Sequence, residues 1–155
     1  PKLTGANTSL FPPKRIILDA DGSIFEKSNL NLFNNSSSEV IVFTKVKHEN
    51  LPSHVTLITP KEFSIKEILS EIAKLGIQSI YVEGGPSIHD QFLASGYWDE
   101  VITYISPILL GGNNTSSFTS NRITNEKIQL HDTKIIKLGE DIRISGRRVS
   151  QCLQD

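Results

Sequence analysis

A short segment from Tyr81 to Asp90 joins two adjacent glycines to a proline, a combination that could hold an anion. Gly84 and Gly85 allow the backbone to turn sharply and to approach a ligand closely. Pro86 has the fixed φ that suits the first position of a helix, whose N–H groups would carry the positive end of the helix dipole. This pattern fits a bound phosphate, and therefore a cofactor with a diphosphate, but many strand-to-helix turns carry two glycines only because the chain reverses direction.

Other kinds of catalytic site have weaker support in the sequence. The dinucleotide motif G-x-G-x-x-G, the P-loop motif G-x-x-x-x-G-K-[ST] and the nucleophile motif G-x-S-x-G are all absent. The four histidines show no metal spacing and have no paired cysteines, so we expect no metal site. Asp19 and Asp21 could form an acid and base pair, but Asp-x-Asp-Gly after a strand is more typical of a turn.

The first half of the chain is predicted to contain strands followed by a helix. Three apolar runs predict strands at residues 15–19, 40–44 and 54–59. From Ser64 onward the apolar residues recur with the period of an amphipathic helix. Ser64 and Glu67 are predicted to begin this helix as a capping box, and Gly76 is predicted to end it.

The second half is predicted to add one further strand, a helix and three more strands. A strand at 79–82 leads into the glycine turn, and a helix runs from Pro86 until Gly96 ends it. Residues 99–106 alternate with a period near two and predict a strand. Residues 134–138 and 141–145 flank a Gly-Glu pair and predict an antiparallel hairpin.

The order of these elements predicts one α/β domain over residues 1–155. Its single mixed sheet would be mostly parallel, with the antiparallel hairpin at its C-terminal edge and helices on its faces. Parallel sheets bind ligands at the carboxyl ends of their strands. Three positions lie there: Asp19-Ala20, Thr44-Lys45 and Glu83 to Gly85.

Composition excludes several classes of partner. The chain has 16 basic and 17 acidic residues and a formal net charge of -1, so no broad basic field favours nucleic acid or an anionic membrane. It has no apolar run long enough to span a bilayer. The single cysteine, Cys152, has no partner within the chain and fits a reducing compartment, so we expect a cytoplasmic protein.

Three segments together resemble a known family: Val82 to Ser87, Trp98 to Val101, and Ile105 to Gly112. Their glycine turn, Asp-Glu strand start and Pro-x-Leu-Leu-Gly-Gly loop are similar to the C-terminal reductase domain of the bifunctional riboflavin-biosynthesis deaminase/reductase. The resemblance covers nearly the whole chain. It implies a dihydrofolate-reductase-like fold.

The resemblance also implies an activity, the NADPH-dependent reduction of 5-amino-6-(5-phosphoribosylamino)uracil. The ribosyl side chain of this phosphorylated pyrimidine would become a ribityl chain, with hydride delivered to the sugar C1′ in its open, imine-like form. A homodimer is implied as well. Further parts of the same parent protein, either an N-terminal segment or a deaminase domain, are possible partners.

The candidate site residues come from the resemblance and from the strand ends. Leu3 and Glu83 are expected to contact the substrate, because Leu3 lies in the segment resembling the family's substrate loop and a carboxylate can accept hydrogen bonds from ring N–H or ribose hydroxyl groups. The expected cofactor contacts are Ala20, Thr44, Gly84, Gly85, Pro86, Ser87, Ile88, His89 and Gln91. Thr44, with two nearby lysines, suits an adenosine ribose or its 2′-phosphate, but an ordinary solvated loop has the same composition.

Two departures from the family pattern keep other functions open. Ala6 stands where the family has an arginine that meets a substrate phosphate, so the usual bidentate partner is missing. The chain also starts, at Pro1, after the point where the family's first strand and helix are expected, so we expect these N-terminal elements to be missing from it. One alternative is therefore a nucleotide-binding or dimerisation fragment without turnover. Another is a dihydrofolate-reductase-like enzyme with a different substrate.

Overall fold

The computed structural model describes residues 13–27, 30–34, 38–109 and 127–149. Its internal contacts divide the chain into two compact units, Pro1–Gln78 and Ser79–Asp155. Each unit contains one three-stranded sheet. Among the described residues no helix is long and apolar enough to cross a membrane.

The first unit is built on a parallel sheet with the strand order β1-β2-β3. Strand β2 pairs with both neighbours, so that Ile16 lies opposite Ile41 and Ile41 lies opposite Thr56. All three predicted strands are confirmed, each shorter than predicted by one or two residues. The elements of this unit are β1 Arg15–Leu18, a 3-10 helix Ser23–Glu26, the short helix α1 Asn31–Asn34, β2 Val40–Phe43, β3 Val55–Ile58 and the helix α2 Ile65–Lys74.

The core of the first unit forms around β2, whose four side chains are all fully buried. Because successive side chains of a strand point to opposite faces, β2 contributes to two apolar clusters. On one face Ile41 and Phe43 pack with Ile68 and Ile72 of α2. On the other face Val40 and Val42 pack with Val55 of β3.

Helix α2 begins and ends at the residues that the sequence predicts. The Glu67 N–H donates to Ser64 Oγ at 3.4 Å, which satisfies one of the free N–H groups of the first turn. Gly76 follows the helix with φ 74° and donates its N–H to Ala73 O at 2.9 Å. Glycine reaches this left-handed conformation without the strain that a Cβ atom would add.

The second unit contains one helix and an antiparallel sheet with the strand order β4-β6-β5. The predicted hairpin is confirmed: β5 pairs with β6, Leu138 lies opposite Asp141, and Gly139 turns with φ 63°. Strand β4 pairs with β6 along its whole length, from Glu100 to Ile105. The elements are α3 Pro86–Ser95, β4 Glu100–Ile105, β5 His131–Leu138 and β6 Asp141–Arg147.

The predicted strand at residues 79–82 is wrong for this structure, because these residues are not part of any sheet. Ile80 is 38% exposed and Tyr81 is 68% exposed, so the segment is not buried either. Apolar and β-branched residues favour an extended backbone, but a strand also needs a neighbour to bond. Within the described part of the chain no other strand pairs with this segment.

The expected mixture of parallel and antiparallel strands, flanked by helices, is confirmed with one correction. The parallel and the antiparallel strands of the described residues form two sheets of three strands each, and not one continuous sheet. Strand pattern predicts which residues extend, whereas the pairing between strands depends on contacts distant in sequence. The α/β class therefore follows from local pattern, whereas the number of sheets cannot be predicted from it.

We expect Ile68→Ala to lower the free energy of unfolding by about 2–5 kcal/mol, because it removes a fully buried side chain from the cluster under β2. Ile135→Ala makes the same chemical change on β5, where the side chain is 71% exposed, and should cost about 1 kcal/mol or less. Denaturant unfolding of both variants checks this. Equal losses of unfolding free energy in the two variants would contradict the assignment of Ile68 to the core.

Candidate functional site

The carboxyl ends of β1 and β2 lie side by side and bring Ala20 and Thr44 together. The Lys45 N–H donates to Ala20 O at 3.1 Å, and the Asp19 N–H donates to Phe43 O at 2.9 Å. Thr44 is fully buried, and its Oγ1 accepts the N–H of residue 46 at 3.2 Å. The hydroxyl of Thr44 is thus engaged within the protein, and the ligand contacts expected at Ala20 and Thr44 stay predictions.

The two carboxylates that follow β1 accept hydrogen bonds from the turn that they precede. Asp19 accepts the Ile24 N–H at 2.8 Å and the Ser23 hydroxyl at 3.1 Å, and Asp21 accepts the Ser23 N–H at 3.3 Å. These bonds satisfy N–H groups at the start of the 3-10 helix. Ser23 is not among the predicted site residues, although a serine soon after an aspartate at a helix start is a recognisable capping pattern.

Hydrogen bonding lowers the pKa of Asp21. The largest cause is the Ser23 N–H, followed by a hydrogen bond with the Asp19 side chain. A carboxyl whose pKa is lower in the folded chain stabilises it above the unfolded pKa of about 3.9. That contribution is lost as the pH falls through the lowered pKa, so it is present at neutral pH.

The glycine turn of the second unit leaves the N-terminus of α3 open. Gly85 precedes the first helical residue, Pro86, and its carbonyl accepts the N–H groups of Ile88 and His89 at 3.1 and 3.2 Å. No side chain caps this helix, and its first turn contains no acidic residue. Among the hydrogen bonds of the described residues, none uses the N–H of Gly85 or Ser87. These donors and the helix dipole suit an anion.

The two glycines of this turn have different surroundings. The Gly84 N–H donates to His89 Nε2 at 3.2 Å. A Cβ atom on Gly84 would lie 3.1 Å from the Cβ of Ile88, whereas a Cβ atom on Gly85 would meet nothing within 4 Å. Gly84 is therefore packed against the first turn of α3. Gly85 borders open space.

The other predicted residues of this unit surround the same turn. Glu83 and Ser87 are exposed, Ile88 and His89 are half-buried, and the Gln91 amide donates to Ser87 Oγ at 3.4 Å. The structure therefore brings together Gly84, Gly85, Pro86, Ser87, Ile88, His89 and Gln91. Leu3 lies outside the described residues. Ala20 and Thr44 belong to the other unit.

A cavity of about 630 Å³ lies elsewhere in the second unit. Leu93, Trp98, Ile128 and Arg148 are among the residues that line it, and none of the predicted site residues does so. The Arg148 guanidinium donates to the carbonyl of Gly96 beside it. Among the described residues no three His, Cys, Asp or Glu side chains form a group that could hold a metal ion.

Parallel strands, an antiparallel C-terminal hairpin and a glycine turn that opens a helix define a dihydrofolate-reductase-like α/β fold. The crystal structure of a diaminohydroxyphosphoribosylaminopyrimidine deaminase/5-amino-6-(5-phosphoribosylamino)uracil reductase from Thermotoga maritima has this fold. It matches 96% of this chain and 41% of its own with a TM-score of 0.73 and 24% identity. The riboflavin biosynthesis reductase of Saccharomyces cerevisiae matches 88% of this chain and 69% of its own, with a TM-score of 0.64 and 24% identity.

A family model, the RibD C-terminal domain, matches residues 1–144, and the chain belongs to this family. The family expected from the resemblance is thereby confirmed. The riboflavin biosynthesis protein RibD of Bacillus amyloliquefaciens is 31% identical over 145 residues, a match that covers 86% of this chain. The chain spans 38 to 39% of the length of the first two curated relatives it matches.

We expect Asp19→Ala to lower the free energy of unfolding by about 1–2 kcal/mol, because the Ile24 N–H loses its acceptor. Asp19→Asn keeps one oxygen in place and should lose less. Thermal or denaturant unfolding of the two variants checks that Asp19→Ala loses more stability than Asp19→Asn. An Asp19→Ala variant as stable as the parent chain would argue against a capping role.

Proposed function

We propose that the chain is the reductase part of a riboflavin-biosynthesis enzyme. It reduces the ribosyl side chain of 5-amino-6-(5-phosphoribosylamino)uracil with NADPH. The observation that carries the proposal is the match of the RibD C-terminal domain model to residues 1–144. The name of the Thermotoga maritima relative includes this reductase activity, and its similarity supports the choice of substrate.

The glycine turn fits the diphosphate of a nicotinamide cofactor. The N–H groups of Gly85 and Ser87 can donate to phosphate oxygens, and the exposed Ser87 hydroxyl can add a third donor. The space beside Gly85 admits a phosphate, because nothing lies within 4 Å of the position that a Cβ atom would occupy. When bound, NADPH supplies the hydride, and the protein supplies position and electrostatics.

Glu83 is proposed to hold the pyrimidine substrate. Its side chain is exposed directly before the glycine turn. A carboxylate accepts hydrogen bonds only, and the ring N–H and ribose hydroxyl groups of the substrate are donors of the matching kind. The negative charge strengthens such bonds relative to those made by a neutral amide.

Titration of the chain with NADPH and with NADH, followed by an assay of NADPH oxidation with the pyrimidine, tests the proposal. Tighter binding of NADPH together with turnover supports it. Binding without turnover favours a nucleotide-binding fragment, and a chain that binds neither nucleotide contradicts the proposed cofactor. The dephosphorylated pyrimidine is the informative comparison, because Ala6 stands in place of the family's phosphate-binding arginine. Turnover of that compound alone would indicate a different substrate.

The charge next to the helix N-terminus should govern cofactor affinity. We expect Gly85→Asp to weaken NADPH binding by at least about tenfold, since a carboxylate would cap the free N–H groups and repel the phosphate. Gly85→Asn is the matched control, because its amide caps as well without the charge, and it should cost only about threefold. Isothermal titration measures both affinities.

Neither Gly85 variant should be less stable than the parent chain, because φ −75° and ψ 172° suit any residue and Asp and Asn are good caps. Unchanged or higher melting temperatures would show that the turn stays folded. Equal NADPH affinities for the Asp variant and the parent chain would rule out phosphate binding at this turn.

Glu83→Gln should raise KM for the pyrimidine by about tenfold, because a charge-assisted hydrogen bond becomes a neutral one. The dissociation constant of NADPH should stay within about twofold, since Glu83 is assigned to the substrate. Glu100→Gln, at an exposed position on β4, is the control and should change neither value. Steady-state kinetics and nucleotide titration separate the two effects. A change in NADPH affinity with an unchanged KM for the pyrimidine would assign Glu83 to the cofactor and not to the substrate.

A further inference from the structure

The imidazole of His89 touches the glycine turn from the first turn of α3. Its Nε2 lies 3.2 Å from the Gly84 nitrogen, and the Gly84 N–H points at it. The neighbouring Ile88 packs on the same glycine, where a Cβ atom would come within 3.1 Å of Ile88 Cβ and Cγ2. Two consecutive helix residues thus hold Gly84 from one side, one by a hydrogen bond and one by packing.

The direction of this hydrogen bond determines the state of the ring. A backbone N–H can only donate, so Nε2 must accept and cannot carry a proton. The ring that makes this bond therefore carries its proton on Nδ1. A lysine, an arginine or a protonated histidine at this position would have no acceptor to offer.

We propose that His89 is a positioning residue that gives the two glycines of the turn different roles: Gly84 is held by the protein, and Gly85 is left to bind the cofactor. By accepting the Gly84 N–H, it removes this donor from the anion site and fixes the turn. The donors left for the cofactor are then those of Gly85 and Ser87. This inference rests on the proposed function, because it assigns the cofactor phosphate to a particular pair of N–H groups.

The geometry supports this division in two ways. The N–H of Gly84 is engaged, and the hydrogen bonds of the described residues use neither the Gly85 nor the Ser87 N–H. Gly85 borders open space, whereas a Cβ atom on Gly84 would meet Ile88. A flexible turn would have to be ordered when the cofactor binds, whereas a turn already held by His89 avoids that entropic cost.

A first experiment examines the hydrogen bond in the chain without cofactor. In a ¹⁵N-labelled sample, we expect a scalar coupling across the hydrogen bond between the Gly84 amide nitrogen and His89 Nε2. The nitrogen shifts of the ring should be those of the Nδ1–H tautomer. Absence of the coupling, or a ring protonated at Nε2, would overturn the proposal, and this measurement needs no variant.

A second experiment measures NADPH affinity in variants of His89. His89→Leu removes the acceptor and should weaken binding by about three- to tenfold, while His89→Gln offers a side-chain oxygen at similar reach and should stay within about twofold of the parent chain. His131→Leu, at an exposed residue of β5, is the matched control and should bind as the parent chain does. Circular dichroism establishes that each variant is folded.

The outcomes separate this inference from the proposed function. If the parent chain does not bind NADPH, the proposed function is wrong, and the scalar coupling alone decides whether His89 holds the turn. If the parent chain binds NADPH and His89→Leu binds equally well, the positioning role is overturned while the proposed function stands. Loss of binding in His89→Leu with recovery in His89→Gln supports both.

Discussion

Complete burial of β2 is the constraint on which the first unit depends. A strand without access to water must satisfy its backbone groups with other strands, so β2 requires a neighbour on each side. Val40 donates to His54 O at 2.9 Å and Thr44 donates to Ile58 O at 3.1 Å, which fixes β3 alongside it. Because β1 is parallel to β2, their carboxyl ends coincide, and the Lys45 N–H meets Ala20 O at the same edge.

The second unit positions its candidate residues by a more local mechanism. Gly85 ends the turn and directly precedes α3, and the hydrogen bonds that Gly84 and Gly85 make among the described residues join positions at most five apart in the chain. Such contacts form with little loss of loop entropy. The helix N-terminus formed in this way also suits an anion, because the first turn of α3 has no acidic side chain that would compete with a phosphate.

Local patterns predicted α2, α3 and most strands because they reflect local physical requirements. Ser64 and Gly76 mark the ends of α2, where free N–H and carbonyl groups need partners. The prediction was wrong at residues 79–82, where apolar character indicated a strand, because no described strand pairs with this segment. It also failed to reveal that Thr44 is fully buried, because that depends on the packing around the end of β2.

The amino-acid sequence by itself determined the α/β class, the glycine turn with its helix, and the motifs that mark the RibD C-terminal domain family. These features depend on residue type and on spacing within a few positions. Only the tertiary structure decided that the strands form two sheets, that Gly84 is engaged by His89, and that Gly85 stays open. The reason is physical: exposure and hydrogen-bond partners are properties of neighbours in space, and the order of residues does not specify them directly.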